Sequence, residues 1–148
     1  MIRFRAASRE DVPAVVAMLR DDILGQGRER RDLDHYLAAF DRMQAEGNNH
    51  VIVGEDAAGA IVATYQITFI SGLSLSAARR AQVESVRVAS HLRGQGVGQE
   101  MFRDVEARAR AEECSLIQLT MNASRTASAR FYGALGFEPS HTGFKKYL

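Results

Sequence analysis

Apolar residues recur along this chain with two periods, and each stretch announces an element. Ile2, Phe4 and Ala6 alternate with arginines, which predicts a strand over Ile2 to Ala6. Ser8-Arg9-Glu10-Asp11 then reads as a capping box, with Pro13 tolerated in the first turn. Val12, Val15, Val16 and Leu19 follow at helical spacing, so a helix should run to about Arg20. Residues 21–31 hold Gly25, Gly27 and many charges and read as a loop. A second helix is expected over 32–45, with Leu33, Tyr36, Leu37, Phe40 and Met43 on one face, broken at Gly47-Asn48-Asn49. Strands are expected at His50 to Gly54 and Ala60 to Ile70, joined by the turn Asp56-Ala57-Ala58-Gly59 into a hairpin. After a polar connection over 71–79, a strand from Gln82 to Ala89 runs into a glycine-rich loop. A helix is predicted over about 97–112, with Val97, Met101, Val105 and Ala109 in one stripe. A strand over Leu116 to Met121, a helix over 124–135 capped by Gly136, and one or two short strands within Phe137 to Leu148 complete the pattern.

This order, β-α-α-β-β-β-α-β-α-β(β), predicts an α/β fold with a mixed, mostly antiparallel sheet flanked by helices. The unit from 82 to 121 should be a right-handed parallel crossover. The chain has 148 residues, of which 46% are hydrophobic, enough for one compact domain over 1–148. No repeat, low-complexity tract or linker divides it.

Composition narrows the function classes. Nineteen basic against eighteen acidic residues give a formal charge of +1, which argues against nucleic acid as the partner. No apolar run approaches the ~20 residues that span a bilayer, so no membrane partner is expected. Met1-Ile2-Arg3-Phe4-Arg5 lacks the apolar core and cleavage site of a signal peptide, and the expectation is a cytoplasmic protein. The one cysteine, Cys114, cannot form an internal disulfide, and its place between a helix and a strand suits a buried, inert thiol better than a nucleophile. His35, His50 and His141 lack metal-binding spacing, so no metal is expected.

The candidate chemistry lies in Val86-Arg87-Val88-Ala89-Ser90-His91-Leu92-Arg93-Gly94-Gln95-Gly96-Val97-Gly98. A strand, an arginine, alternating glycines and a helix start are what a chain needs to hold a pyrophosphate. Glycines let backbone N–H groups approach the oxygens, and the helix N-terminus adds unpaired N–H groups and a partial positive charge. There is no Gly-Lys-Ser or Gly-Lys-Thr for a nucleoside-triphosphate loop, and the glycine spacing is not that of a dinucleotide fold. The strand before the loop also breaks phase: Val83 lies on one alternation, Val86 and Val88 on the other. Either the strand is buried on both faces, or an extra residue near Glu84-Ser85 makes a β-bulge.

Arg93 to Gly98 reads Arg-x-x-Gly-x-Gly, and Phe131-Tyr132-Gly133-Ala134-Leu135-Gly136-Phe137 follows downstream. Together these two motifs resemble the two signatures of the GNAT family of N-acetyltransferases, and the resemblance runs from Ile2-Arg3 to the C-terminal segment. Arg125 and Ser128 depart from the commonest pattern, where asparagine and alanine are frequent, so no contact of that asparagine is carried over.

The resemblance implies acetyl-CoA as cosubstrate and direct transfer to a primary amine of a small molecule or peptide. In that family the strand before the loop is bulged, which favours the bulge here. The backbone at Val86 and Val88, with Arg87, would meet the pantetheine arm and the acetyl carbonyl. Arg93, Gly94, Gln95, Gly96, Val97 and Gly98 would hold the pyrophosphate, and Asn122, Arg125 and Phe131 would lie beside the cofactor. Tyr132 is implied as the acid that protonates the CoA thiolate, against a core tyrosine with a satisfied hydroxyl. Glu84, on a strand that ought to be mostly buried, is the candidate base, against a carboxylate paired with Arg79, Arg80 or Arg87. His91 reads as a surface loop residue. The acceptor should enter between the first two helices and the strands at 60–90, past a loop at 21–34 carrying Asp21, Asp22, Glu29, Asp32 and Asp34 among Arg28, Arg30 and Arg31. Homodimerisation is a further implication. The rival functions are an acyl-CoA-binding or regulatory module without turnover, and an unrelated domain whose loop binds another phosphate ligand.

Overall fold

The fold was described from a computed structural model, which covers residues 1–21, 29 and 32–148. Asp22, Gly25, Gly27, Arg28, Arg30 and Arg31 of the expected charged loop lie outside the described residues. Two compact units divide the chain, Met1–Gln118 and Leu119–Leu148.

The first unit is built on a mixed sheet. Strands β1 (Arg3–Ala6), β2 (Asn49–Glu55), β3 (Ile61–Ser71), β4 (Arg79–Val88) and β5 (Leu116–Leu119) lie in the order β1-β2-β3-β4-β5. The first three pairings are antiparallel. Helix α1 (Val12–Arg20) follows a 3-10 turn, Arg9–Asp11, in which the Ser8 N–H donates to the Asp11 carboxylate at 2.7 Å. That is the capping box read from the sequence. Helix α2 (Leu33–Glu46) starts where Asp32 accepts from the Asp34 N–H and ends at Gly47, φ +78°. Between β3 and β4 a short turn, α3 (Ser74–Ala77), has Leu75, Ser76 and Ala77 at positive φ.

The sheet is covered on both faces. Val53 and Thr64 are register partners on the face packed with Ala7, Val12, Val16 and Phe40. Ile52 and Tyr65 are partners on the opposite face, where the Tyr65 hydroxyl donates to Asp104 of helix α4 (Val97–Ala111) at 2.6 Å. This explains why β3 buries Val62, Ala63, Thr64 and Tyr65 in succession: a central strand between two helical layers has no polar phase. Helix α4 puts Val97, Met101, Phe102, Val105 and Ala109 into the core, four of which are the stripe seen in the sequence. It links the neighbouring strands β4 and β5 and ends in a Schellman turn. The Cys114 N–H donates to Ala109 O at 2.9 Å and the Glu113 N–H to Arg110 O at 3.0 Å, with Glu113 at φ +58°.

The second unit contains helix α5 (Thr126–Ala134). Gly136, at φ +92°, ends it in another Schellman turn: the Phe137 N–H donates to Tyr132 O and the Gly136 N–H to Gly133 O, both at 3.0 Å. The strands expected within Phe137 to Leu148 do not form. Pro139 cannot donate to a ladder, and Phe144, Tyr147 and Leu148 are exposed rather than buried on one face.

Candidate active site

The phase break in β4 is a β-bulge. Gln66 pairs with Glu84 and Thr64 with Arg87, so Ser85 and Val86 together oppose the single residue Tyr65. Ser85 takes up the extra length with φ +55°, in the left-handed region that costs a side-chain-bearing residue roughly 1–2 kcal/mol. Tyr65 holds the opposite side in place. Its hydroxyl is tied to Asp104, which also accepts from Arg108 Nε at 2.8 Å. Burial, then the bond to Asp104, holds the Tyr65 phenol well above its ordinary range, so it stays a donor.

Beyond the bulge, Val86, Arg87 and Val88 are half-buried, and the chain passes through a 3-10 turn at Ser90–Leu92 into the glycine loop. Gly94 and Gly96 stand at φ +76° and +84°, and a Cβ built on either meets nothing within 4 Å. Their backbone is therefore both unusual and open. Gly96 is the N-cap of α4, and no side chain caps that end. The N–H groups of Val97 and Gly98 thus belong to the first turn, which has no intrahelical partners. Arg93 is exposed, with Nε donating to Val88 O at 3.3 Å, and Gln95 Nε2 donates to His91 O at 2.9 Å. Two exposed glycines, a bare helix start and a guanidinium make a cradle suited to a pyrophosphate.

Glu84 is exposed, which corrects the expectation that its strand position is mostly buried. It is still paired with Gln66 and stands immediately before the bulge. Among the described residues its carboxylate makes no side-chain hydrogen bond or ion pair, so pairing with Arg79, Arg80 or Arg87 is not seen either. Arg79 instead holds Glu112 and Ser71, and Arg87 donates to Val86 O. As the register partner of Gln66, Glu84 shares the sheet face turned toward α1 and α2.

On that face lies a cavity of about 170 Å³, reached by Val12, Val15 and Leu19 of α1, Phe40 of α2, Gln66 of β3 and Ser85 of the bulge. It occupies the place where an acceptor was expected, between the first two helices and the strands. No periodicity could have located it, because its wall is made of the same apolar positions that read as core.

In the second unit Tyr132 is half-buried, its ring 5.2 Å from Phe131 and 5.9 Å from Phe137, both edge-on. Tyr132 and Phe137 flank the Schellman turn, the usual place for an apolar contact that closes a helix end. The Leu135-Gly136-Phe137 signature thus has a structural job of its own: it fixes the ring of Tyr132. Asn122 accepts from the N–H and hydroxyl of Ser124, at 3.0 and 2.6 Å, and Arg125 is the exposed N-cap of α5. Cys114 is half-buried and burial pushes its thiol up, the opposite of an activated nucleophile.

The family model described as "Acetyltransferase (GNAT) family" matches residues 15–137, and the chain belongs to that family. Acetyl transfer is the general activity that membership brings. Over 100% of both chains the protein is similar to a transcriptional regulator from Bacillus halodurans C-125, at 37% identity and a TM-score of 0.94. It is similar to a putative acetyltransferase from Agrobacterium tumefaciens str. C58, at 25% identity over 99% of each chain with a TM-score of 0.86. A predicted acetyltransferase from Clostridium acetobutylicum, solved with acetyl-CoA, shares the fold at 18% identity, 99% and 96% coverage and a TM-score of 0.77. No curated protein matches the chain. Among the described residues no helix is long and apolar enough to cross a membrane.

Proposed function

We propose that this chain is an N-acetyltransferase that moves the acetyl group of acetyl-CoA to a primary amine by direct attack in a ternary complex. The observation that carries the reading is the β-bulge at Ser85 and Val86, placed immediately before the open glycine loop and the uncapped start of α4. A bulge frees backbone groups from the ladder, and a freed N–H near Val86 or Val88 would stabilise the oxyanion formed on attack.

Arg93, Gly94, Gln95, Gly96, Val97 and Gly98 bind the pyrophosphate in this reading, and Arg87, Asn122, Arg125 and Phe131 take the rest of the cosubstrate. The amine lone pair forms the new C–N bond, the C–S bond breaks, and the thiolate takes a proton. Tyr132 supplies that proton; a phenol is only one to two pKa units weaker as an acid than a thiol, so the transfer is not far uphill. The amine must lose its own proton, and Glu84 accepts it, directly or through water. Its exposure leaves it in reach of solvent, which suits a relay. The reaction needs one catalytic domain over 1–148; a cytoplasmic location and homodimerisation are family expectations that fractionation and sedimentation would check.

A second reading is an acyl-CoA-binding regulatory module, favoured by the description of the Bacillus halodurans protein as a transcriptional regulator. Thermal melting with acetyl-CoA, CoA, ATP and NAD, followed by thiol release with amines, separates the two. Saturation at ~100 times Kd adds about 2.7 kcal/mol of native-state stability, a shift of several degrees. A shift with both CoA species and thiol release with an amine supports the enzyme; a shift with no release for any amine supports the module. Glu84→Gln should lower kcat by about 100-fold and remove the acid limb of the kcat/KM profile. Tyr132→Phe should lower kcat with little change in the acetyl-CoA melting shift. Unchanged kcat in either variant would strip that residue of its role.

A further inference from the structure

We infer that the acceptor is an amine carried on a compact apolar body, a single aromatic ring or a short branched alkyl chain, seated in the cavity between α1, α2 and the bulge. The inference rests on the acetyl-transfer reading above and specifies its second substrate.

The cavity has two unlike ends. Toward the helices it is walled by Val12, Val15, Leu19, Phe40 and Met43, with Tyr36, whose hydroxyl donates to Glu29 at 2.9 Å. Toward the sheet it meets Thr64, Gln66 and Ser85, neighbours across β3 and the bulged part of β4. Among the described residues no charged side chain lines it. The acceptor therefore has an apolar body and a polar group at one end, and that end faces the bulge.

The polar groups are already oriented. Thr64 Oγ1 donates to Ile52 O at 2.9 Å and is used up by the sheet. Gln66 Nε2 donates to Asn49 Oδ1 at 2.8 Å, and Asn49 is fixed in turn by its Nδ2 donating to Glu46 at 2.9 Å. Gln66 keeps a second N–H and its carbonyl oxygen, and Ser85 brings a hydroxyl, so both can accept a hydrogen bond at this end of the cavity. Two groups able to accept at one end of an apolar chamber suit an amine N–H group.

Size and chemistry point the same way. The cavity's inner space of about 170 Å³ is close to the ~150 Å³ that holds benzene in a sealed apolar cavity, and the pocket is open to solvent beyond it. A polyamine, an amino sugar or a lysine side chain on a peptide would bring further polar or charged groups against valines and phenylalanine, where no charged side chain among the described residues lines the cavity to pair them. An apolar chamber also disfavours the ammonium form, which lowers the amine's pKa and raises the fraction able to attack.

The test is thiol release with acetyl-CoA and three probe classes: phenethylamine and isoamylamine; spermidine and glucosamine 6-phosphate; and a lysine-containing peptide. The expected result is kcat/KM at least tenfold higher for the two apolar amines. Ala39 of α2 is part of the cavity wall; Ala39→Phe, which fills the cavity from there, should raise the phenethylamine KM at least tenfold while the melting shift with acetyl-CoA persists, and Ala39→Val is the milder filling if the first variant melts early. Turnover of the polar classes in preference to the apolar amines, or no release with the apolar amines, overturns the inference, as does an unchanged KM in both filled variants. If acetyl-CoA still shifts the melt in that event, acetyl transfer survives and only the substrate class falls; if it does not, both fall.

Discussion

Ser85 shows how one residue sets a site. Its φ of +55° lets two residues stand against Tyr65, with Glu84 exposed just before it and Ser85 itself on the cavity wall. The strain is kept because the neighbours over-determine it: Gln66 with Glu84 on one side, Thr64 with Arg87 on the other, and Tyr65 anchored to Asp104. Ser85→Gly removes the left-handed cost but loosens the unfolded chain, so the net effect is a gain of at most about 1 kcal/mol. Ser85→Val places a β-branched side chain at positive φ and should cost about 2 kcal/mol. Urea unfolding measures both. A valine variant as stable as the parent would mean the backbone at this position is not left-handed. The sequence carried half of this: the phase break between Val83 and Val86 was visible, but two-face burial explained it equally well. What it could not carry was the exposure of Glu84, because burial at a bulge depends on which way the extra residue turns the strand.

At the scale of elements, the glycine loop and α4 act as one device. Helix propensity and stripe made α4 legible over its whole length, and Gly96 as its N-cap follows from the spacing of the motif. The C-terminal strands were not legible for the opposite reason: Phe137, Phe144, Tyr147 and Leu148 look like strand residues, but a strand exists only where a ladder partner and a buried face are supplied. The cavity went unseen because a wall of apolar residues reads the same whether or not its centre is filled. Gly96→Ala tests the loop. The built Cβ meets nothing, so the cost to the protein is backbone strain alone, roughly 1–2 kcal/mol. If the loop holds a pyrophosphate by its N–H groups, the same change should weaken acetyl-CoA by tenfold or more, since the amide must turn to relieve φ. Calorimetric titration of the folded variant decides it: unaltered affinity would move the phosphate site elsewhere.

Across the first unit, an ionic network ties the outer strand to the elements that wall the cavity. The Arg5 guanidinium donates to both oxygens of Asp11, at 2.7 and 3.0 Å, and to Glu55 at 2.8 Å, while Arg3 meets Glu55 at 2.6 Å. This joins β1 and β2 to the turn that starts α1, just ahead of Val12 on the cavity wall. Arg5, then burial working against it, sets the Asp11 carboxyl at about 2, below its ordinary 3.8. The native state therefore binds fewer protons than the unfolded chain between those values. The stability this pair contributes is present above pH ~4 and is lost as pH falls through about 2. The Arg5 side chain that holds Asp11 is 32% exposed, so screening holds the contribution to about 1 kcal/mol. Asp11→Asn keeps an oxygen for the Ser8 N–H and removes the charge. Its deficit against the parent in urea unfolding should be about 1 kcal/mol at pH 7 and should close as pH approaches 2. A deficit that stays constant across that range would place the effect in packing or capping, and the first wall of the cavity would then owe nothing to the charge on Asp11.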